Sequence, residues 1–401
     1  MEPWRKNLSI LWGTQFLAMV GMNLVIPFLP FYIRHLGVSD PQQLPLWSGL
    51  AFSGTFLSAF LVTPFWGTLG DRFGRKVMVV RALWGLGLSQ VLIGLSQDVI
   101  QLVIFRVVQG AISGFIASAL ALVSTNTPKE RIGYAIGVLQ SSTAAGMVLG
   151  PFIGGLLADL LGYREIFFIT AALCGIGGFI VLAGVKELEH SPPDARTSTV
   201  RNNVLLMFSD TRLRVVALGL VVGQMAVLMI EPLFALFVEE FQTDTEYIAT
   251  LAGGIVSISG LFMIISAPWW GKRFDRTGYR KNLSLALGLT GIAYAGHALV
   301  GDLVQLGFLR AVLGCFRGGI LPGLYALTTL YSPPDRRGGM MAIASSLTLL
   351  GNMVGPTAGG LVAGHFGMTT SFIVIFGLLL LLALAFWKWF PEERTVTNAQ
   401  G

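Results

Sequence analysis

The stretch "PFWGTLGDRFGRK" (residues 64–76) returns as "PWWGKRFDRTGYRK" (268–281), with Pro64 and Pro268 204 positions apart. Other segments keep nearly the same offset. "LVIFRVVQG" (102–110) matches "LGFLRAVLG" (306–314), "GMVLGPFIGG" (146–155) matches "GNMVGPTAGG" (351–360), and "GYREIF" (162–167) is echoed by "GMTTSF" (367–372). Four matches in register mean that the chain is a duplication of one structural unit. The first stretch also breaks the character of its surroundings. Asp71, Arg72, Arg75 and Lys76 fall within six positions of a sequence that is 54% hydrophobic and only 12% charged.

A mean hydropathy of +0.71 over 401 residues, with recurrent apolar runs of about 20 residues, marks a multi-span membrane protein. The runs predict twelve helices, over 8–33, 47–70, 77–96, 99–122, 134–161, 164–185, 213–239, 247–271, 282–301, 303–331, 338–364 and 370–390. Each repeat then holds six spans: residues 1–185 and 213–401 form two bundles, and the polar, proline-containing segment 186–212 links them on the cytoplasmic side. An even number of spans gives both halves the same topology, related by a pseudo-twofold along the membrane normal. The fifty glycines suit helices that approach closely in lipid. The first apolar run is too long for a signal peptide core and no cleavage site follows it, so it is expected to stay as helix 1. Cys174 and Cys315 fall inside spans, which argues against a disulfide framework or a redox motif.

Orientation follows from charge. With the N-terminus inside, 22 of the 27 Lys and Arg residues fall on cytoplasmic segments or the span ends beside them, while the external loops hold only Arg34 and Arg164. Both termini are therefore expected in the cytoplasm. The net charge of +6 reflects this topology, and no basic domain with interleaved aromatics points to nucleic acid. The external segment "EEFQTDTE" (239–246) carries four acids and no base; it reads as a solvated loop or as a cation-attracting outer mouth.

At the opening stretch the chain resembles the major facilitator superfamily. Gly67, Asp71, Arg72, Gly74, Arg75 and Lys76 fit the pattern G-x-x-x-D-[RK]-x-G-R-[RK] without a mismatch, and the second copy, around Asp275 and Arg276, departs by the inserted Tyr279. The resemblance covers essentially the whole chain and implies an all-α integral membrane protein with twelve transmembrane helices in two six-helix bundles. It also implies that this loop is a cytoplasmic latch, with Asp71 facing the start of the eleventh helix near Gly338, where helix N–H groups favour an anion. A plain topology anchor would explain the bases but not an aspartate in both copies. A second pattern, G-x8-G-x3-G-P-x2-G-G, is met by Gly137, Gly146, Gly150, Pro151, Gly154 and Gly155. Spacings of four make a flat helix face and Pro151 permits a bend. The superfamily carries this pattern in the fifth helix of proton-coupled antiporters, and the chain looks most like twelve-span drug:proton antiporters of the bacterial multidrug efflux type.

Charge within the spans is expensive, roughly 2.5–3.5 kcal/mol for a central Arg unless paired or hydrated, so it marks candidate function. Arg106, Glu231, Arg310 and Arg317 are the candidates, in spans 4, 7 and 10, which with span 1 are expected to line the cavity by resemblance. Glu231, the sole acid deep in a span, is the expected proton carrier, with the arginines tuning it; a permanent Glu–Arg clamp is the other reading. Ile26 occupies the matching place in the first half, leaving Asn23, Gln109 and Gln140 to solvate Arg106, while Gln224 and Phe234 are further cavity candidates. A second carboxylate found in some resembled efflux proteins is missing, because Arg317 stands near its place, which leaves stoichiometry and substrate charge open.

The four histidines are dispersed without metal-ligand spacing, and no nucleotide loop or nucleophile elbow appears, so no metal, cofactor or enzymatic activity is expected. The reading is a secondary transporter in the bacterial cytoplasmic membrane, monomeric, exchanging protons for lipophilic small molecules among membrane lipids. An exporter of a specific lipid or metabolite, or an uncoupled facilitator, is the alternative.

Overall fold

The computed structural model describes residues 2–112, 114–128, 131–187, 200–241 and 246–390. All regular elements among them are helical. The first span is split into α1 (Pro3–Asn23) and α2 (Leu29–His35), followed by α3 (Gln43–Phe73) and α4 (Arg75–Gly94). The fourth is split into α5 (Val99–Ile112) and α6 (Phe115–Asn126), and α7 (Ile132–Leu161) and α8 (Tyr163–Gly184) complete the first repeat. The short α9 (Val200–Ser209) precedes a seventh span made of α10 (Thr211–Leu218), a π-turn (Gly219–Gly223), α11 (Gln224–Leu228), a 3-10 turn (Glu231–Leu233) and α12 (Phe234–Glu239). Then come α13 (Ile248–Thr277), α14 (Tyr279–His297), the split tenth span α15 (Leu303–Arg317) and α16 (Ile320–Leu330), α17 (Arg337–Phe366) and α18 (Met368–Trp389).

Every expected span carries helix, but spans 1, 4, 7 and 10 are not the continuous rods that apolar runs imply. The cause in spans 1 and 7 is proline. Pro27 and Pro232 lack an N–H and crowd the carbonyl four residues earlier. Those residues are Asn23 and Leu228, where α1 and α11 stop. Spans 4 and 10 break at glycines: Gly114 adopts a left-handed φ of 112°, and α15 ends directly before Gly318 and Gly319. Among the described residues nine segments are long and apolar enough to cross a membrane; the first, fourth and ninth expected spans are not among them. Large apolar side chains such as Leu61, Leu88, Phe179 and Leu381 are exposed, as a lipid-facing surface requires.

The chain divides into two compact units, Met1–Asp40 with Leu50–Asp194 and Gln242–Ser257, and Pro41–Gly49 with Ala195–Phe241 and Ile258–Gly401. The expected segments 1–185 and 213–401 thus exchange short pieces in this division. In the first unit, Leu11, Ala18 and Met19 of α1 pack with Leu83 of α4, Leu139 of α7 and Cys174 of α8. The glycine face of α7 makes this possible. A Cβ on Gly146 would stand 2.5 Å from that of Met19, one on Gly150 2.7 Å from that of Asn23, and one on Gly154 would strike the Leu24 carbonyl. In the second unit α17 repeats the arrangement on the seventh span, with Gly351, Gly355 and Gly359 against Val221, Met225 and Met229.

Gly155 faces elsewhere, onto the Ala249 carbonyl at the start of α13, where Asp159 is also engaged. One carboxylate oxygen of Asp159 accepts from the Thr250 N–H at 2.7 Å and its hydroxyl at 2.6 Å, and the other accepts from the Ala249 N–H at 3.3 Å. An anion there satisfies unpaired N–H groups and complements the dipole of α13. Asp159→Ala should lower the stability of the full chain by about 1–2 kcal/mol and Asp159→Asn by less. Thermal unfolding in detergent measures this; equal unfolding temperatures would show that the contact contributes nothing.

Candidate functional site

The charged turns come first in the chain. Gly74 and Gly278, 204 apart, hold φ of 96° and 81°, so each turn is a single glycine in a conformation that a side chain would strain. Glu187 accepts from the Arg75 and Lys76 N–H groups at 2.9 and 3.3 Å, capping α4, while the Arg75 side chain donates to the Ala121 carbonyl at 2.9 Å. Arg72 lies exposed over Phe73, and Asp275 and Arg276 are exposed in the second copy. The side chains at Gly67 and Asp71 lie outside the described residues, as do 188–199 of the linker and 242–245 of the acidic loop.

Two of the four charges expected within the spans, Glu231 and Arg317, sit at helix breaks, while Arg106 and Arg310 lie midway along α5 and α15. In the second unit Glu231 opens the 3-10 turn that follows Pro232's interruption of the seventh span, and Arg317 is the last residue of α15. Arg317 Nη1 donates to Glu231 Oε1 at 2.8 Å, and Arg310 Nη1 stands 3.9 Å from the same oxygen. A seven-residue spacing on one helix aims both arginines at one carboxylate. They are held differently. The Arg310 side chain is 0% exposed with its guanidinium 3.5 Å from the centre of the Phe234 ring, whereas Glu231 and Arg317 side chains are 15% and 19% exposed. Phe234 is therefore buried packing for a cation and not part of an open cavity surface. Gln224 opens α11 beside Gly351, and the unwound backbone beyond Leu228 separates it from Glu231.

The first unit keeps the scaffold and omits the acid. Arg106, buried midway along α5, donates to Gln109 Oε1 at 3.0 Å, its guanidinium 5.9 Å from the Phe52 ring centre. Asn23 and Gln140 do not join it. Asn23 turns back to the Met19 carbonyl at 2.7 Å, and Gln140 is exposed on α7. Gly137 of the same helix has nothing within reach of an added Cβ. The aromatic frame is shared: Tyr32 and Phe167 of the first unit, 5.1 Å apart, correspond at an offset of 205 to Phe237 and Phe372, 4.8 Å apart. Near the start of α1 and α7 a groove of about 580 Å³ is lined by Trp4, Arg5, Leu8, Trp12, Arg131 and Tyr134.

Sequence reasoning missed the breaks, although Pro27 and Pro232 at matching positions were a usable signal. It also set His297 aside with the other histidines, and it missed Tyr294 and Asp159, which look ordinary until neighbouring helices are placed.

Comparison with known proteins follows this geometry. The model of the Major Facilitator Superfamily matches residues 11–309 and 302–401. A protein of Proteus mirabilis named Multidrug resistance protein MdtG is 36% identical over 384 residues, covering 94% of this chain and 95% of its own length. The protein of that name from Escherichia coli is 35% identical over 393 residues, covering 98% and 96%. Among solved structures, a bacterial homologue of the human lysosomal transporter Spinster aligns with a TM-score of 0.81 at 16% identity, over 96% of this chain and 97% of its own. The nucleoside transporter NupG aligns with 0.79 at 15% identity, over 98% and 100%. These two share the fold. With duplicated six-span halves, paired glycine seams and a family match along nearly its whole length, the chain belongs to the major facilitator superfamily of transporters.

Proposed function

We propose that this protein exports lipophilic small molecules from the bacterial cytoplasm across the inner membrane by alternating access, driven by proton entry and without a cofactor. The names of the MdtG relatives support the substrate class, and the Lys and Arg distribution supports cytoplasmic termini. The observation that carries the coupling is Glu231: a carboxylate at a helix break, 2.8 Å from Arg317 and 3.9 Å from Arg310. An acid held between two guanidiniums at a break in the helix is placed to couple a movement of Arg317 to proton exchange. Discontinuous helices are where transporters of this kind place ion and substrate sites. The aromatic and cationic groove of the first unit suits capture of a lipophilic compound, and Asp71 serves as a cytoplasmic latch in a protein that acts as a monomer.

The test uses everted membrane vesicles with an imposed pH gradient and a panel of lipophilic drugs. Drug-dependent proton movement together with uphill drug uptake is expected. Drug movement without proton movement would make the protein a facilitator, and a panel without any transported drug would favour a dedicated lipid or metabolite exporter.

A further inference from the structure

The face of α14 turned into the second unit ends in two buried polar residues, Tyr294 and His297. His297 Nδ1 is 2.7 Å from the Ala293 carbonyl. A carbonyl only accepts, so Nδ1 carries the hydrogen, and in the neutral ring Nε2 presents a lone pair. That atom is buried without a hydrogen-bond partner, and so is the Tyr294 hydroxyl. Arg310 on α15 is the complement: its Nε, Nη1 and Nη2 are all buried donors without an acceptor. The two helices meet beside these residues, where a Cβ on Gly296 of α14 would stand 3.1 Å from the Leu309 side chain of α15. The rings that fix the arrangement run from Phe234 under Arg310 to Phe237 at 6.3 Å, Phe372 at 4.8 Å and His297 at 5.1 Å.

Buried polar groups without partners are uncommon, and here unpaired donors and an unpaired acceptor occur in one cluster. The carboxylate is shared unequally, since Arg317 takes Oε1 at hydrogen-bond distance and Arg310 stays at 3.9 Å. We propose that His297 is the second resting place of Arg310: when Glu231 takes a proton and its pull on Arg310 lapses, the guanidinium turns to His297 Nε2, so His297 positions Arg310 and sets how readily Glu231 is protonated. The charged and titratable groups facing this exchange are Glu231, Arg310 and Arg317, with Tyr294 and His297 themselves. Those of the packed helices otherwise stand at helix ends, Arg212 and Arg214 on α10, Glu239 on α12, Lys272, Arg273, Asp275 and Arg276 on α13, Tyr279, Arg280 and Lys281 on α14, Arg337 and His365 on α17 and Lys388 on α18, with Tyr325 midway along α16. The inference rests on Glu231 being the group that gains and loses the proton.

The test is an infrared pH titration of the full-length protein in lipid, following the carboxyl C=O band identified by its loss in Glu231→Gln. Without the second acceptor the protonated state strands Arg310, so Glu231 should stay ionised to lower pH. His297→Phe keeps the ring on Phe372 but removes Nε2, and the midpoint should fall by about one pH unit, a roughly tenfold weaker proton affinity. His297→Gln restores an acceptor and should recover most of the shift. An unchanged midpoint in His297→Phe, or equal shifts in both variants, overturns the proposal. Should His297→Phe not fold, His297→Asn, with its shorter reach, carries the same expectation. The transport reading fails separately: if Glu231→Gln still exports drug against a gradient, Glu231 is not the coupling site, while the band midpoint still decides the Arg310 exchange.

Discussion

Glu231→Gln should reduce proton-driven accumulation of drug by on the order of tenfold or more while downhill exchange survives, because it removes the titrating group and little else. Glutamine keeps the size and one acceptor oxygen, so Arg317 retains a partner at the position it now contacts at 2.8 Å. The measurement is uptake into proteoliposomes with and without a pH gradient, beside drug binding in detergent. Loss of binding alone would make Glu231 a substrate contact. If the variant unfolds and Arg317→Gln restores folding, the pair is a structural clamp, since removing one partner of a buried pair leaves an uncompensated charge. Intact gradient-driven transport would remove Glu231 from the mechanism.

The second large effect is steric. Gly154→Ala places a methyl on the Leu24 carbonyl, and Gly359→Ala does the same at Met229 in the other unit. Backbone cannot step aside as a flexible side chain can, so α7 or α17 must shift as a body. Each substitution should cost about 1–3 kcal/mol or prevent folding outright. Gly137→Ala on the same helix as Gly154 is the control: nothing lies within 4 Å of its added Cβ. It should be neutral or stabilising by up to about 1 kcal/mol, as alanine is in a helix. Yields of folded protein and thermal unfolding of the three variants test the contrast, and equal behaviour of Gly137→Ala and Gly154→Ala would refute the close-packing account.

The sequence makes the large pattern legible because membrane helices leave a long apolar signal and a duplication doubles it. The matches from Pro64 to Pro268 and from Gly146 to Gly351 locate paired elements that the structure places in equivalent packing. Single charges in apolar runs likewise stand out, which is why Glu231, Arg310 and Arg317 could be named as a group. Local backbone geometry was less visible. Pro27 and Pro232 lie in apolar runs whose hydropathy does not register a missing N–H, so twelve continuous rods were expected where four spans are interrupted. Pairing was invisible as well. That Arg317 and not Arg310 holds Glu231 at 2.8 Å depends on where the break turns the acid, and His297 gains meaning only once the rings of Phe237 and Phe372 connect it to Phe234.

The exchanged segments of the two compact units also order events on the ribosome. Asp159 caps the start of α13, and its partner Thr250 lies 91 residues further along the chain. At about 5–20 residues per second the carboxylate waits roughly 5–18 s after synthesis before those N–H groups exist. The reverse contact takes longer: Gly360 meets the Pro45 carbonyl at the head of α3, so that early segment stays uncovered for roughly 15–60 s at the same rate. Neither unit can finish from its own half of the message. A chain cut within residues 188–199 would have to assemble from both fragments together, and the amino-terminal fragment alone would leave the membrane insertion machinery with the Asp159 carboxylate and the start of α3 still lacking their partners.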